Sequence, residues 1–476
     1  MKRAFRFLFL FVIVLMLSGL AFSGCGFRPD VAQTQDAPAA SPPREASVES
    51  AKKQFNVTYR LDGQVLSVEA VAEGETPAAV PAMWEDRGIV SWTNANGTPT
   101  DVWSAHIAAD TTFDAVLGPE LHTEGGYFAA EQDGLFHPLN TFTRSDAARS
   151  VYALLKVKPT GETFLKDVTT RARCWDAATT LVTNGYMSLD ENGRFFPDIA
   201  ITKADLVSLL EKLFSPGAVE QTMQDVPDEL TRGQAAVVFN RLLGLIERED
   251  MPYFPDVSPQ MEVYQAVECA GIEGNISWIE GDRAEPGFVN LEGYLYCVGD
   301  DGYFLRDAMV GTLYFDITGQ FTSGDEALDK YVADIIDGQV TRSASREAML
   351  REAYNYIRDR FLYLNKRNYY AIGETGWEVP EALLLFQSGK GNCYNFNGGF
   401  WALARGLGFD AVCYSGLVGV HRDPHCWVEI EFDGVPYIFD PETEMSQRLV
   451  YDYTSLFKLT YEQGAFWSYA REPYTD

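Results

Sequence analysis

The sequence predicts a multidomain α+β protein, and three observations carry that prediction. The hydrophobic period changes along the chain. Residues 54–117 alternate, residues 118–280 repeat at three- and four-residue steps, residues 281–326 form short aromatic runs between turns, and residues 341–476 pass from helical to strand patterning. At 476 residues the chain suffices for about three domains of ordinary size. A composition of 46% apolar and 13% aromatic residues gives those domains cores to bury. The formal net charge of −30 lacks the basic stripe that nucleic acid requires, so no nucleic-acid partner is expected.

Residues 1–24 read as a targeting segment. Lys2, Arg3 and Arg6 form its positive start, and FLFLFVIVLML its apolar centre. The following LAFSGC resembles a bacterial lipobox ending at Cys25, with Phe22 where that motif usually has Leu. The resemblance implies a mature chain that begins at Cys25 and is held to the membrane by an N-terminal lipid. Ordinary secretion and an uncleaved anchor are the alternatives, and each places the remainder outside the cytoplasm. Residues 25–53 are rich in Pro, Ala, Ser and charge without an apolar period, the composition of a flexible tether.

Residues 54–117 read as strands. FNVTYRLDG alternates, Gly74-Glu75-Thr76-Pro77 breaks, IVSW is a short strand, and Asn96-Gly97 is a hairpin turn before IAADTTFDAVL. Trp92 and Ala109-Asp110-Thr111-Thr112 resemble the Listeria–Bacteroides repeats of bacterial surface proteins. That resemblance implies a small β-grasp-like module serving as spacer or adhesion unit.

Residues 118–280 contain an internal repeat: FTRSDAARSVYALL, ITKADLVSLLEKLF and LTRGQAAVVFNRLL. Thr143, Thr202 and Thr231 are the expected helix N-caps, with Asp or Gln three residues on. FLKDV, MQDV and YFPDV introduce the accompanying helices, although the step from Thr202 to Thr231 is short for a full unit. These segments resemble S-layer homology repeats, which implies docking onto cell-wall polysaccharide or peptidoglycan. Arg144, Lys203 and Arg232 are then the candidate contacts to an anionic wall polymer; a purely structural helical bundle is the alternative.

Within residues 281–326, Glu-Gly, Asp-Asp-Gly and Thr-Gly turns separate aromatic strands, which predicts hairpins. They resemble the aromatic hairpin repeats of cell-wall-binding proteins. Tyr294, Tyr296, Tyr303 and Phe315 either stack on sugars or, the reading preferred here, form each hairpin's own small core. Residues 327–340 read as a linker. In the last domain, Leu350, Ala353, Tyr354, Ile357 and Phe361 make one apolar helical stripe that is core.

The chemistry concentrates in GKGNCYNFNGGFWALARGLGFDAV, residues 389–412. Phe396, Phe400, Leu403, Ala404 and Leu407 recur at helical steps, so Cys393 falls at a helix start, where free N–H groups and the helix dipole stabilise a thiolate. His425 opens a strand in HCWVEIEF, Asp433-Gly434 is a hairpin turn, and the return strand ends at Asp440. His425 and Asp440 are thereby placed at the near ends of two paired strands. Cys, His and Asp in that order supply a thiolate, a general base and acid, and a carboxylate that orients the imidazole.

Cysteine at a helix start, the Leu-Gly-Phe strand approach, His-x-Trp-Val-Glu-Ile and the closing Phe-Asp-Pro resemble the transglutaminase-like superfamily. The resemblance implies a papain-like core over residues 341–476, with Cys393 as nucleophile, His425 as base and Asp440 as its partner. His421 competes with His425 but lacks the following Trp-Val-Glu. Gln387, six residues before Cys393, resembles an oxyanion donor of papain-like proteases; the Cys393 N–H is the other donor. The implied function is a surface-anchored cysteine enzyme that cleaves or transfers peptide amide bonds through a thioester, with a protein or peptide substrate. The alternative is an inactive fold in a wall-binding scaffold.

Seven cysteines occur, at 25, 174, 269, 297, 393, 413 and 426. Cys413 and Cys426 flank a predicted hairpin turn and are read as buried thiols, with a disulfide as the alternative. No Cys-x-x-Cys or His-x-x-x-His pair and no phosphate-cradling glycine loop occurs, so neither a metal nor a cofactor is expected.

Overall fold

Alternating patterning over the first described stretch produces a five-stranded mixed sheet in the computed structural model. That structure describes residues 52–244, 252–274, 276–279, 281–340, 345–365, 369–448 and 454–471. The targeting segment, Cys25 and all but the end of the tether lie outside these residues. Gln54–Leu61 and Thr111–Glu120 run parallel at the centre of the sheet, and every other neighbouring pair is antiparallel. Val57, Tyr59, Ile89, Trp92 and Phe113 form its core. The last strand passes the expected boundary at 117 and ends at Glu120.

Among the described residues, the repeat region folds as six helices around one core. Arg144–Leu155, Lys203–Leu210 and Arg232–Leu243 each follow a threonine N-cap whose hydroxyl accepts an N–H from the third helical residue. The reciprocal side-chain bond that completes a capping box forms at Thr143/Asp146 and Thr231/Gln234. The short step between Thr202 and Thr231 does hold a second helix, Pro216–Met223, because Pro216 starts it one residue after Ser215. The extended residues before the caps meet in the middle: Phe142 N–H donates to Leu230, and Ile201 N–H to Phe142. Phe128, Phe142 and Phe239 pack around that junction.

Next come the hairpin Gly287–Leu291/Tyr294–Val298 and the three-stranded sheet Ala308–Val310, Leu313–Phe315 and Phe321–Thr322. Phe315 belongs to the local core, whereas the buried Tyr303 packs on Tyr253 and Tyr264 of the preceding region. The expected linker 327–340 is a correction: Glu326–Gln339 is a helix capped by Asp325. Its Leu328, Val332, Ile335 and Ile336 recur at helical spacing and are buried against the following domain. That domain therefore begins near 326 rather than 341.

Its centre is the helix Cys393–Gly406, flanked by Arg346–Arg360 and Glu378–Ser388. This helix packs on a four-stranded antiparallel sheet in the order Ala411–Val418, Asp423–Phe432, Val435–Phe439, Phe457–Leu459. Asp433 and Gly434 both take positive φ, 52° and 77°, in the tight turn between its two middle strands. Gly416 stands opposite His425, and a Cβ there would lie 2.4 Å from the Ala470 carbonyl and 2.6 Å from the Trp427 ring. Only glycine fits that approach.

Candidate active site

Local chain logic places each of the three candidate residues. Asn392 caps the helix Cys393–Gly406: its side-chain oxygen accepts from Tyr394 N–H at 3.1 Å and Asn395 N–H at 3.4 Å. Asn395 returns the bond by accepting from Asn392 N–H at 3.0 Å. The N–H of Cys393 takes part in no recorded hydrogen bond among the described residues, which leaves it aimed out of the helix start. Asp440 ends the strand and caps the next helix, Pro441–Arg448, accepting from Thr443 N–H at 3.0 Å. Pro441 is the first residue of that helix.

The side chains converge in the interior, with Cys393 and His425 each 5% exposed and Asp440 0% exposed. His425 Nε2 lies 2.7 Å from Asp440 Oδ2 and 3.1 Å from the Thr443 hydroxyl. The Cys393 sulfur lies close enough to the imidazole for each to shift the other's titration. With Nε2 taken by Asp440, Nδ1 is the nitrogen left to serve the sulfur. Asp440 is held from further sides by the Tyr469 hydroxyl at 2.9 Å and by Asn397 Nδ2 at 3.5 Å. That same amide donates to the carbonyls of Cys393, at 3.1 Å, and Cys426, at 2.9 Å.

Electrostatics follow from this geometry. The neighbouring Cys426 thiol holds the Cys393 thiol well below the ordinary range against the cost of burial, and His425 adds to it. Burial alone would push His425 down, but the Asp440 carboxylate and the Cys393 sulfur outweigh it and hold the imidazole well above its usual value. Burial would raise Asp440, yet His425 and Thr443 keep it below the usual carboxylate range. The balance favours a thiolate–imidazolium pair beside a carboxylate. Such an array can attack a carbonyl carbon and return a proton to a leaving group.

Glu442 also faces this array. It is 7% exposed, its Oε2 lies 4.0 Å from His425 Nδ1, and burial pushes its carboxyl up to about 7. His425, Asp440 and Glu442 are the described set of side chains whose ligand atoms lie close enough for a metal ion. Since Nε2 is already hydrogen-bonded to Asp440, we read His425 and Asp440 as the proton-transfer pair, with the Glu442 carboxyl beside it. Gln387 is exposed near the end of Glu378–Ser388 and has no recorded hydrogen bond to these residues. The Cys393 N–H remains the oxyanion donor with support in the geometry.

Sequence reading missed Cys426, Glu442, Thr443, Tyr469 and Tyr363. Glu442 and Thr443 had a signal, since they follow Asp440-Pro441 on the first turn of a helix. Tyr363 reaches the site because Leu362–Tyr363 pairs in parallel with Lys390–Gly391, just before Asn392 and Cys393. Nothing local marks Tyr469. The six described cysteines are all buried and outside any disulfide, and Cys413 pairs in register with Val428, not Cys426.

The three wall-facing cations of the repeat region meet a different outcome. Arg232 is 2% exposed, ion-paired with Asp146 and Glu131, and donates to the carbonyls of Phe136 and Ala129 at 2.8 Å each. That is a correction: the side chain is spent on holding the repeats together. Arg144 donates to Phe195 and Ser188 carbonyls and Lys203 to Val226, so both are largely engaged in the same way. A polar cavity of about 810 Å³ opens instead between the repeats and the hairpins. Arg149, Arg173, Asp198, Tyr294 and Tyr296 are among its lining residues.

Residues 331–441 match the family model of the transglutaminase-like superfamily, and residues 165–207 that of the S-layer homology domain. The chain thus carries a transglutaminase-like domain and an S-layer homology domain, whereas the Listeria–Bacteroides resemblance found no match. No curated protein matches the chain. Among solved structures, a proposed cysteine protease from Cytophaga hutchinsonii is similar at 17% identity, over 23% of this chain and 36% of its own, with a TM-score of 0.19.

Proposed function

We propose that this protein is a cell-surface cysteine enzyme that cleaves or transfers peptide amide bonds through a thioester on Cys393. The observation that carries the reading is the joint burial of Cys393, His425 and Asp440, with His425 Nε2 2.7 Å from Asp440 Oδ2 and the Cys393 sulfur near enough to shift the imidazole. In this reading the thiolate attacks the amide carbonyl, and the Cys393 N–H receives the developing oxyanion. The C–N bond breaks, and imidazolium Nδ1–H gives its proton to the departing amine. Water or a second amine then attacks the thioester, losing a proton to His425, and the C–S bond breaks to restore the thiolate. Asp440 holds the imidazole with Nε2–H toward itself throughout, so that Nδ1 is free to exchange the proton.

The rate of Cys393 alkylation by iodoacetamide against pH, in the full chain and in His425→Ala, tests this. A midpoint well below the free-thiol value of about 8.5 that moves in the variant is expected. A Cys393 that titrates like a free thiol with or without His425 would sink the enzyme reading.

The S-layer homology match and the cavity beside Tyr294 support a second part of the proposal, retention on wall polysaccharide. A lipid on Cys25 would place the chain at the outer membrane face. Sedimentation with purified wall is expected to weaken in Tyr294→Ala and to be unaffected by Cys25→Ser, which instead releases the chain from membranes. Equal retention of Tyr294→Ala and parent would move the wall site elsewhere.

A further inference from the structure

We propose that Glu442 is a positioning residue for the second half-reaction: its carboxylate, on the thiol side of His425, holds the imidazolium that forms as the acceptor releases the acyl group from Cys393. The inference rests on the thioester reading above.

The two ring nitrogens of His425 face two different carboxylates. Nε2 is paired with Asp440 at 2.7 Å, while Glu442 Oε2 lies 4.0 Å from Nδ1, the nitrogen that exchanges a proton with the sulfur. Glu442 cannot turn away freely: it is 7% exposed, and its Oε1 accepts the Ser446 hydroxyl at 2.6 Å. The groups facing it come from every neighbouring element. They are His425 on the central strand, Asp440 at the end of the next, Cys393 at its helix start, and Tyr363 and Tyr469 on flanking segments. Among these only His425 carries positive charge.

That set makes Glu442 responsive to the state of the sulfur. In the resting pair, burial, the Asp440 carboxylate and the Cys393 thiolate all disfavour its ionised form, against the pull of His425. Acylation turns the thiolate into a neutral thioester and removes one of the two repelling charges. Departure of the amine has also left His425 neutral, so Glu442 loses its attraction to the ring as well, and its carboxylate serves the ring only where the pH ionises it, at the stage where neutral His425 must become a cation. As water or an amine attacks, its proton passes to Nδ1, the tetrahedral intermediate collapses, the C–S bond breaks and the electron pair returns to sulfur. Glu442, 4.0 Å from Nδ1, stabilises the imidazolium during that transfer. Asp440 orients the ring in both half-reactions, whereas Glu442 acts chiefly in the second.

The full chain can be acylated with p-nitrophenyl acetate, and acyl-Cys393 followed by intact mass after the ester is removed. Glu442→Gln is expected to slow decay of the acyl-enzyme by about tenfold, the scale of one charge-assisted contact, while acylation stays within about threefold of the parent. In the parent, decay against pH shows a rising limb near or above about 7 that the variant lacks, and Glu442→Asp restores part of it. Decay unchanged by Glu442→Gln, or acylation and decay slowed alike, overturns the proposal. If the Gln variant does not fold, the parent decides by itself, since a decay profile without that limb overturns it too. A parent whose Cys393 never takes up the acyl group, and whose alkylation ignores His425, counts against the thioester reading itself.

Discussion

At Cys393 the thiolate is stabilised by a second thiol. Burial pushes the Cys426 thiol up and keeps it protonated beside the Cys393 sulfur, where it favours the charged form, and Asn397 ties the two backbones together through their carbonyls. A hydrogen bond to a charged group contributes about 1.5–3 kcal/mol, which corresponds to about one to two pH units. Cys426→Ala removes the donor and is expected to raise the alkylation midpoint of Cys393 by about that amount, while Cys426→Ser, which still donates, keeps it low. The shift follows in sign from losing a group that favours the charged form. An unchanged midpoint in Cys426→Ala would leave His425 and the helix start as the whole account of the thiolate.

The elements around the site were legible where one local rule decides them. GNCYNFN carries its own cap, the Asp-Gly turn fixes the pairing of the two strands, and alternation sets which side chains face inward, so His425 and Asp440 come within 2.7 Å. Three threonine caps were equally visible in the repeats. What failed depended on distant chain. Arg232 occupies the same place after its cap as Arg144, and nothing in the segment says that Asp146 and Glu131 will close over it. Asp146 serves two elements at once: it completes its own capping box and pairs with Arg232 across the core. The helix Glu326–Gln339 is a different failure. Its apolar spacing was present, but charged residues on its other face gave it the composition of a linker. Tyr469, whose hydroxyl reaches Asp440, follows an irregular segment braced by Glu429 against Trp427, Tyr461 and Arg471. Long-range bracing of that kind leaves no periodic trace.

Across the molecule, the hairpins form a seat for the transglutaminase-like domain. Gly293 takes φ +83° directly over the helix Glu326–Gln339, where a Cβ would meet the Ala333 carbonyl at 2.1 Å. Asn290 donates to the Gly406 carbonyl at 2.9 Å, at the end of the Cys393 helix, and Arg405 donates to the Thr312 carbonyl and hydroxyl at 2.6 Å each. Arg346 lies 4.7 Å from the Phe288 ring centroid, which ties the next helix to the same seat. The helix Glu326–Gln339 is thus covered from both sides, and its Leu328, Val332, Ile335 and Ile336 each contribute about 1.5–3 kcal/mol by burial. That sum is comparable with the whole stability of an ordinary domain, about 5–15 kcal/mol. A fragment of residues 341–476 is therefore expected not to fold, one of 326–476 to fold with lowered stability, and one of 281–476 to approach the full chain. Cooperative thermal unfolding followed by circular dichroism, with the low-pH alkylation of Cys393 as a second readout, distinguishes them. A cooperative transition and a reactive Cys393 in the shortest fragment would show that the helix only rests on the domain. Loss of both there, with recovery on adding residues 326–340, would make that helix part of the machinery that holds the nucleophile.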